Sequence, residues 1–500
     1  MAERLNVLLI TTDQMRGDHV GCASNPAIRT PNLDALAAGG VRMDRAYVSN
    51  PLCMPNRATL ATGRLPRNHR CWSNGICLPP DERTIGDVLG ERGYHTALLG
   101  KAHFNSYGDK AETPWTNYES FAAWRAGRID PDWRGPYYGF QQADLSLGHG
   151  PWGLMGGQYG KWLAENYPDF ADADKLRRMP SPTDALQCFT PDMPREAHCS
   201  NWLGHVGCEY LRERAADGQP FLCWVSFPDP HHPFCPPAPY DTMHDPAEVV
   251  MPRLGPEALD DKPAHFREAY EGGRHWEGIG AGDLLRDVTE PQLREIIART
   301  YGMISLVDEN IGRLLRVLDE MHLTENTIVV FTSDHGDLMG DCGLIFKGPF
   351  LLEGLIRVPM IWRVPGAAAG QVCDGLMNSV DVAPTILRLL GVAVPGWMDS
   401  PGEPELVRGG PSTRDAAFVE FRSMYRPELN LRTIVTADRK LTYYAGLEAG
   451  ELYDMTAGVP EARNLYDAPG LAADRARLEK RLLDEAVLRQ DTRRAPTCHA

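Results

Sequence analysis

The sequence predicts an α/β fold: a large, mainly parallel sheet flanked by helices, followed by a smaller α+β portion toward the C-terminus. Three features of the 500 residues carry that expectation. Short continuous apolar runs recur along the chain and stop at polar residues, which is how strands buried on both faces read. Helical periodicities lie between them, the alternation that builds a doubly wound sheet. A stretch rich in Gly and Pro, from about 391 to 412, then sets off a segment with strand patterns of its own.

Asn6 to Thr12 (NVLLITT) is the first such run, and it stops at Asp13. Tyr94 to Leu99 stops at Gly100, Lys101, Ala102 and His103. Phe221 to Phe227 (FLCWVSF) runs into Pro228, Asp229, Pro230 and His231, and Thr327 to Thr332 (TIVVFT) into Ser333, Asp334, His335 and Gly336. Ligands of open α/β sheets bind beyond the carboxyl ends of the strands, so four runs aim reactive residues at one edge. The longest helix is predicted from Pro291 to Met321, where Leu293, Ile296, Ile297, Ile304, Val307, Ile311, Leu314 and Leu318 recur at spacings of three and four. Residues 105–195 break the rhythm with Trp, Tyr, Gly and Pro-rich sequence and read as an insertion, over the active face or at a subunit contact. The division that follows is a catalytic domain over 1–390 and a C-terminal subdomain over 391–500, with strands about Arg432 to Val435 and Lys440 to Tyr444. No internal repeat is evident.

Composition narrows the function. Fifty-one basic residues against 67 acidic give a formal charge of -16, which repels a polyanion, so nucleic acid is not an expected partner. A small anion is still compatible with a locally positive cleft. The first apolar stretch is too short for a signal-peptide core, and no run is long enough to span a bilayer, so a cytoplasmic chain without membrane contact is expected. Its 12 cysteines are then reduced, and none forms a CxxC pair. His198, Cys199, His205 and Cys208 look like ligands but share an amphipathic helical pattern with Trp202, Val206 and Leu211.

Cys53-Met54-Pro55-Asn56-Arg57, followed by ATLATGR, reads as a short helix entered at Pro55 and ended at Gly63. Cys53 then lies at a helix N-terminus, where free N–H groups favour negative charge, and is expected at a cleft surface. Arg57, one turn on, is in reach of the same anion. This CxPxR followed by TGR resembles the signature of the type I sulfatases, in the alkaline phosphatase superfamily. The resemblance extends to Thr30–Val48 (TPNLDALAAGGVRMDRAYV), GYHTALLGKAHF at Gly93, PHHPF at Pro230, SDHGD at Ser333, SVDVAPTILRLLG at Ser379 and ELYDMTAGVPEARNL at Glu451.

The resemblance implies an alkaline-phosphatase-like fold and a formylglycine made from Cys53 by a formylglycine-generating enzyme. Its hydrated aldehyde attacks sulfur or phosphorus through one hydroxyl and expels the ester through the second. Asp13, Gln14, Asp334, His335 and residue 53 match the metal positions, for one divalent ion, Ca2+ or Mn2+. Many sulfatases carry two adjacent acids where this chain has Asp13-Gln14. The neutral amide resembles the phosphonate monoester hydrolase branch, where His335, in place of the Asn frequent elsewhere, is also found, as in some true sulfatases. The two substitutions favour manganese, which accepts mixed oxygen and nitrogen ligands. Lys101 and His103 match a GKxH element, the lysine on the diol and sulfate oxygens and the histidine as base, and pull back toward sulfatase. His231 and Lys347 match residues that serve the leaving oxygen, and Asn74 is a further candidate for a substrate contact. The reading is an arylsulfatase-like hydrolase of small sulfate esters. The alternatives are a phosphonate monoester or phosphodiester hydrolase on the same scaffold, and a non-catalytic sulfate-ester or glycan-binding protein. Self-association through the aromatic insertion or the C-terminal tail, as a homo-oligomer, is compatible with the sequence.

Overall fold

The structure is a computed structural model, and it describes residues 4–108, 115–150, 156–272, 275–277 and 285–490. Its strands are β1 Asn6–Thr12, β2 Val41–Tyr47, β3 His95–Gly100, β4 Gln142–Leu145, β5 Arg178–Pro180, β6 Phe189–Pro191, β7 Phe221–Ser226, β8 Thr327–Ser333, β9 Met360–Arg363, β10 Gln371–Asn378, β11 Ala417–Arg422, β12 Asn430–Val435, β13 Arg439–Tyr444 and β14 Gly450–Asp454. Eight of them form one sheet in the order β10-β2-β9-β8-β1-β7-β3-β4. Only β9 runs against its neighbours; every other pairing in this sheet is parallel. The expected large, mainly parallel sheet is therefore present.

The four apolar runs are its centre. β1, β7 and β8 are buried along their whole length, so both faces need apolar side chains and the period-two alternation of a half-exposed strand is absent. Their registers align the carboxyl ends: Thr11 pairs with Ser226, Thr12 with Ser333, and Gly100 with Ser226. Asp13, Asp334, Lys101 and the Pro228 loop consequently leave the sheet at one edge.

The predicted long helix spans Glu290–Glu320, and the Cys199 pattern forms a helix over Cys199–Asp217. Among the described residues the cysteines are all free, and no helix is long and apolar enough to cross a membrane.

The segment 105–195 is not wholly an insertion. Its Gln142–Leu145 stretch is β4, which pairs parallel to β3 and closes that edge of the sheet. Residues 109–114 and 151–155 of the segment, and the tail from 491, lie outside the described residues. Toward the C-terminus, β11 to β14 make an antiparallel sheet, with the helix Ala472–Leu488 packed on one face through Leu478. The other face, through Val419, Phe421 and Leu431, belongs to the same hydrophobic cluster as the large sheet. Core packing thus runs unbroken across residue 390.

Candidate active site

The segment expected to carry the nucleophile forms a helix over Cys53–Thr62, with Gly63 in the left-handed conformation at its end. The helix begins two residues before Pro55, because a proline in the first turn removes an N–H that has no intrahelical partner in any case. Cys53 is its first residue. Leu52, at the cap position, has no side-chain oxygen to offer the free N–H groups. Asn74 supplies it from another segment, its Oδ1 accepting from the Met54 N–H at 3.0 Å. Asn74, expected as a substrate contact, thus holds the first turn of this helix through its Oδ1. Cys53 is also not on a cleft surface: it is 1% exposed, enclosed by the residues that leave the sheet edge.

Its sulfur lies 3.1 Å from Nε2 of His335, 3.1 Å from Nζ of Lys347 and 3.8 Å from Oδ1 of Asp13. Asp13, Cys53, Asp334 and His335 each offer one ligand atom, all within 4.8 Å of one another and all buried. Two carboxylates, an imidazole and the residue-53 atom form a donor set suited to a divalent cation. Here Sγ stands in for the oxygen that an oxidised residue 53 would present. Gln14 lies beside this group with a positive φ of 66°, uncommon outside glycine, and its N–H donates to Oδ1 of Asp334 at 3.0 Å. Its amide oxygen accepts from Lys347 at 3.0 Å, and its amide nitrogen donates to Oδ2 of Asp337 at 2.6 Å.

Arg57 is placed differently from expectation. Nε donates to Oδ2 of Asp334 at 2.7 Å and Nη2 to Oδ2 of Asp13 at 3.0 Å, while Nη1 reaches Ser226 Oγ and the Lys101 carbonyl. The rigid guanidinium fork spaces the two acids from behind. The Lys101 ammonium meets Asp13 from another side.

These charges set the titration of the cluster. Burial pushes the Asp13 carboxyl up, but the Lys101, Arg57 and Lys347 cations outweigh it and hold Asp13 well below the usual carboxylate range. Burial and Asp13 both raise the Cys53 thiol, yet Lys347, Lys101 and His335 bring it below an ordinary thiol. Burial drives His103 and His231 well below the usual imidazole range, helped at His103 by Lys101 and Arg57. Both are therefore neutral.

His231 accepts from Lys347 at Nε2, 3.0 Å away, so the two residues expected to serve the leaving oxygen touch each other, and Lys347 also touches the Cys53 sulfur. His232, its neighbour in PHHPF, turns instead to the Gln14 amide at 3.0 Å. His103 stands on the loop after β3, stacked on Tyr107 with ring centres 4.2 Å apart and with Nδ1 buried and unpartnered. Its backbone N–H is held by Glu119 at 2.6 Å.

Two members of the site carried no sequence reading. Ser226 ends β7 and receives Arg57; its position at the end of an apolar run was a legible signal. His149 follows the short strand β4, meets Lys101 through Nε2, and stacks on His231. With β4 unread, nothing marked it.

Fold and geometry together describe a hydrolase site at the carboxyl edge of an alkaline-phosphatase-like sheet, with a buried donor set that could hold a metal ion. A model of the sulfatase family matches residues 5–392, and the chain belongs to that family. A second model, N-sulphoglucosamine sulphohydrolase, C-terminal, matches residues 340–487. The ulvan-active sulfatase of Formosa agariphila is 28% identical over 475 residues, covering 93% of this chain and 77% of that protein. The arylsulfatase of Clostridium perfringens is 28% identical over 480 residues, covering 93% and 90%. Among solved structures, the phosphonate monoester hydrolase of Agrobacterium radiobacter aligns with a TM-score of 0.80 at 28% identity, over 98% of this chain and 96% of that one.

Proposed function

We propose that this chain hydrolyses sulfate monoesters of the aryl type, with residue 53, matured from cysteine to formylglycine, as its nucleophile. The observation that carries the reading is the convergence on Cys53, at the first position of a helix, of Asp13, Asp334, His335 and Lys347. A divalent cation, Ca2+ or Mn2+, would be held by Asp13, Asp334, His335 and residue 53, with Gln14 beside them. Bound there, it would supply Lewis-acid charge to the nucleophile and the transferring group.

The remaining roles belong to the chain. Lys101 and Lys347 present ammonium groups to the oxygens of a bound anion. Lys347, with His231 at its Nζ, is placed to hand a proton to the departing oxygen. His103, kept neutral by burial, is free to take a proton from residue 53 in the release step. Arg57 keeps the two acids apart and oriented, so the positive charge facing substrate comes from the two lysines.

A second reading is supported by Gln14 and by the likeness to the phosphonate monoester hydrolase. A sulfate monoester and a phosphonate monoester both carry one charge near neutral pH, so the lysines do not rank them, whereas a phosphate monoester is largely dianionic. Matured, metal-loaded enzyme should be assayed with one phenol as leaving group in four esters. The expected order is the sulfate first, measurable phosphonate monoester and phosphodiester hydrolysis, and weaker phosphate monoester hydrolysis. A phosphate monoester with the highest kcat/KM would overturn the reading, and a phosphonate monoester in first place would select the second one.

A further inference from the structure

His149 belongs to no motif that led to the site, yet its ring stands among the catalytic side chains. Its Nε2 meets the ammonium of Lys101, which also holds Asp13. Its face lies flat on His231, centroids 3.5 Å apart and planes 4° apart, and its edge meets His103 and Tyr107 at 6.5 and 6.4 Å. An ammonium has only protons to offer, so Nε2 of His149 accepts and the ring carries its proton on Nδ1.

The same pattern repeats one layer away. Lys347 donates to Nε2 of His231 at 3.0 Å, and Nδ1 of His231 turns to the carbonyl of His232. Two lysine-to-histidine pairs therefore run side by side, joined by their stacked imidazoles. One ends on Asp13, the other on the sulfur of Cys53. Asp13, His149 and His231 also bring ligand atoms within 4.8 Å of one another, but the Lys101 ammonium bridges Asp13 and His149 and already supplies the cation there. A lysine stem has four flexible torsions, so the fixed acceptor at its tip decides where the ammonium points.

We propose that His149 is a positioning residue, which fixes the Lys101 ammonium toward the transferring group and holds the His231 ring in the plane from which it serves the leaving oxygen. The inference rests on the function proposed above. It separates into two parts, because the ring face of His149 acts on His231 while its Nε2 acts on Lys101. His149→Phe keeps a flat ring without the acceptor. His149→Gln keeps an acceptor without the ring.

The test combines kcat and KM over aryl sulfates with phenols of rising pKa, calorimetric binding of inorganic sulfate, and near-ultraviolet circular dichroism as a check of folding. His149→Phe is expected to retain the wild-type dependence on leaving group while KM and the sulfate Kd rise about tenfold or more. His149→Gln is expected to bind sulfate within about threefold of wild type and to lose about tenfold to hundredfold in kcat with the poorest leaving phenol. Folded Phe and Gln variants that both keep wild-type constants, or that lose activity equally whatever the leaving group, overturn the inference. A wild type that turns over none of the esters removes the proposed function, and the sulfate-binding comparison then still decides whether His149 fixes Lys101.

Discussion

At the scale of single residues, Arg57 shows how far a motif reading carries. The CxPxR spacing identified the residue, but its partners are set by the ends of four strands brought together from distant parts of the chain, and no spacing within the motif encodes them. Its fork bridges Asp13 and Asp334, both fully buried. Removing it leaves Asp13 to Lys101 and Asp334 to the Gln14 and His335 N–H groups, so Arg57→Ala is expected to lower stability by about 3–5 kcal/mol. Arg57→Lys restores the charge but not the fork and should recover less than half of that loss. Urea unfolding of metal-free protein reads both; an unchanged midpoint in Arg57→Ala would remove the bridging role. Cys53 makes the contrasting case. It is small, and its sulfur contacts polar side chains that keep other partners, so Cys53→Ala should leave the unfolding midpoint near wild type while turnover falls by roughly 10^3-fold or more. Near wild-type rates in that variant would exclude residue 53 as nucleophile.

At the scale of elements, the strands that could be read are those with continuous apolar sequence. β1, β7 and β8 have one lowest-energy location, between two layers of helices, and their polar ends reported the site edge directly. β2 and β10 escaped because they are only partly buried: Arg42, Asp44 and Arg45 interrupt the first, and Gln371 to Gly375 leave half of the second at the surface. β4 is four residues long, and with it went the signal for His149. The helix Ala264–Glu271 carries a dependence on acidity that its sequence does not announce. His265 is buried with Nε2–H on the Pro349 carbonyl at 2.9 Å, and burial lowers its pKa from 6.5 to about 4. A depressed imidazole contributes stability in full above the unfolded value, and that contribution is lost as pH falls from 6.5 through 4. The loss approaches about 3 kcal/mol. His265→Gln, which keeps a donor without the titration, is expected to narrow the gap between denaturation midpoints measured at pH 7 and pH 4.5. An equal gap in the variant would assign the acid sensitivity elsewhere.

At the scale of the whole molecule, the smaller sheet is a structural partner of the site. The backbone of Glu420 on β11 bonds to Ser49, and its carbonyl accepts from Asn50, just ahead of Cys53. The buried ammonium of Lys440 on β13 meets Glu461 and the Leu351 carbonyl, and Glu461 receives the Glu353 N–H at 3.0 Å. Glu461→Ala leaves that ammonium with the Leu351 carbonyl and the more distant Glu353 carboxylate and is expected to cost about 3–5 kcal/mol, whereas Lys440→Met combined with Glu461→Leu should cost clearly less. Thermal midpoints of the three proteins check this, and equal losses would show that packing, not charge, joins the two parts. All of this scaffold serves one chemical claim, that residue 53 acts as an oxidised cysteine. The most direct measurement is the mass of the peptide spanning residue 53 from protein made with its maturation enzyme and shown to be active. The expected result is a peptide in which an aldehyde replaces the CH2SH group, in a fraction that tracks specific activity between preparations. A fully active preparation whose peptide carries unmodified cysteine would contradict it.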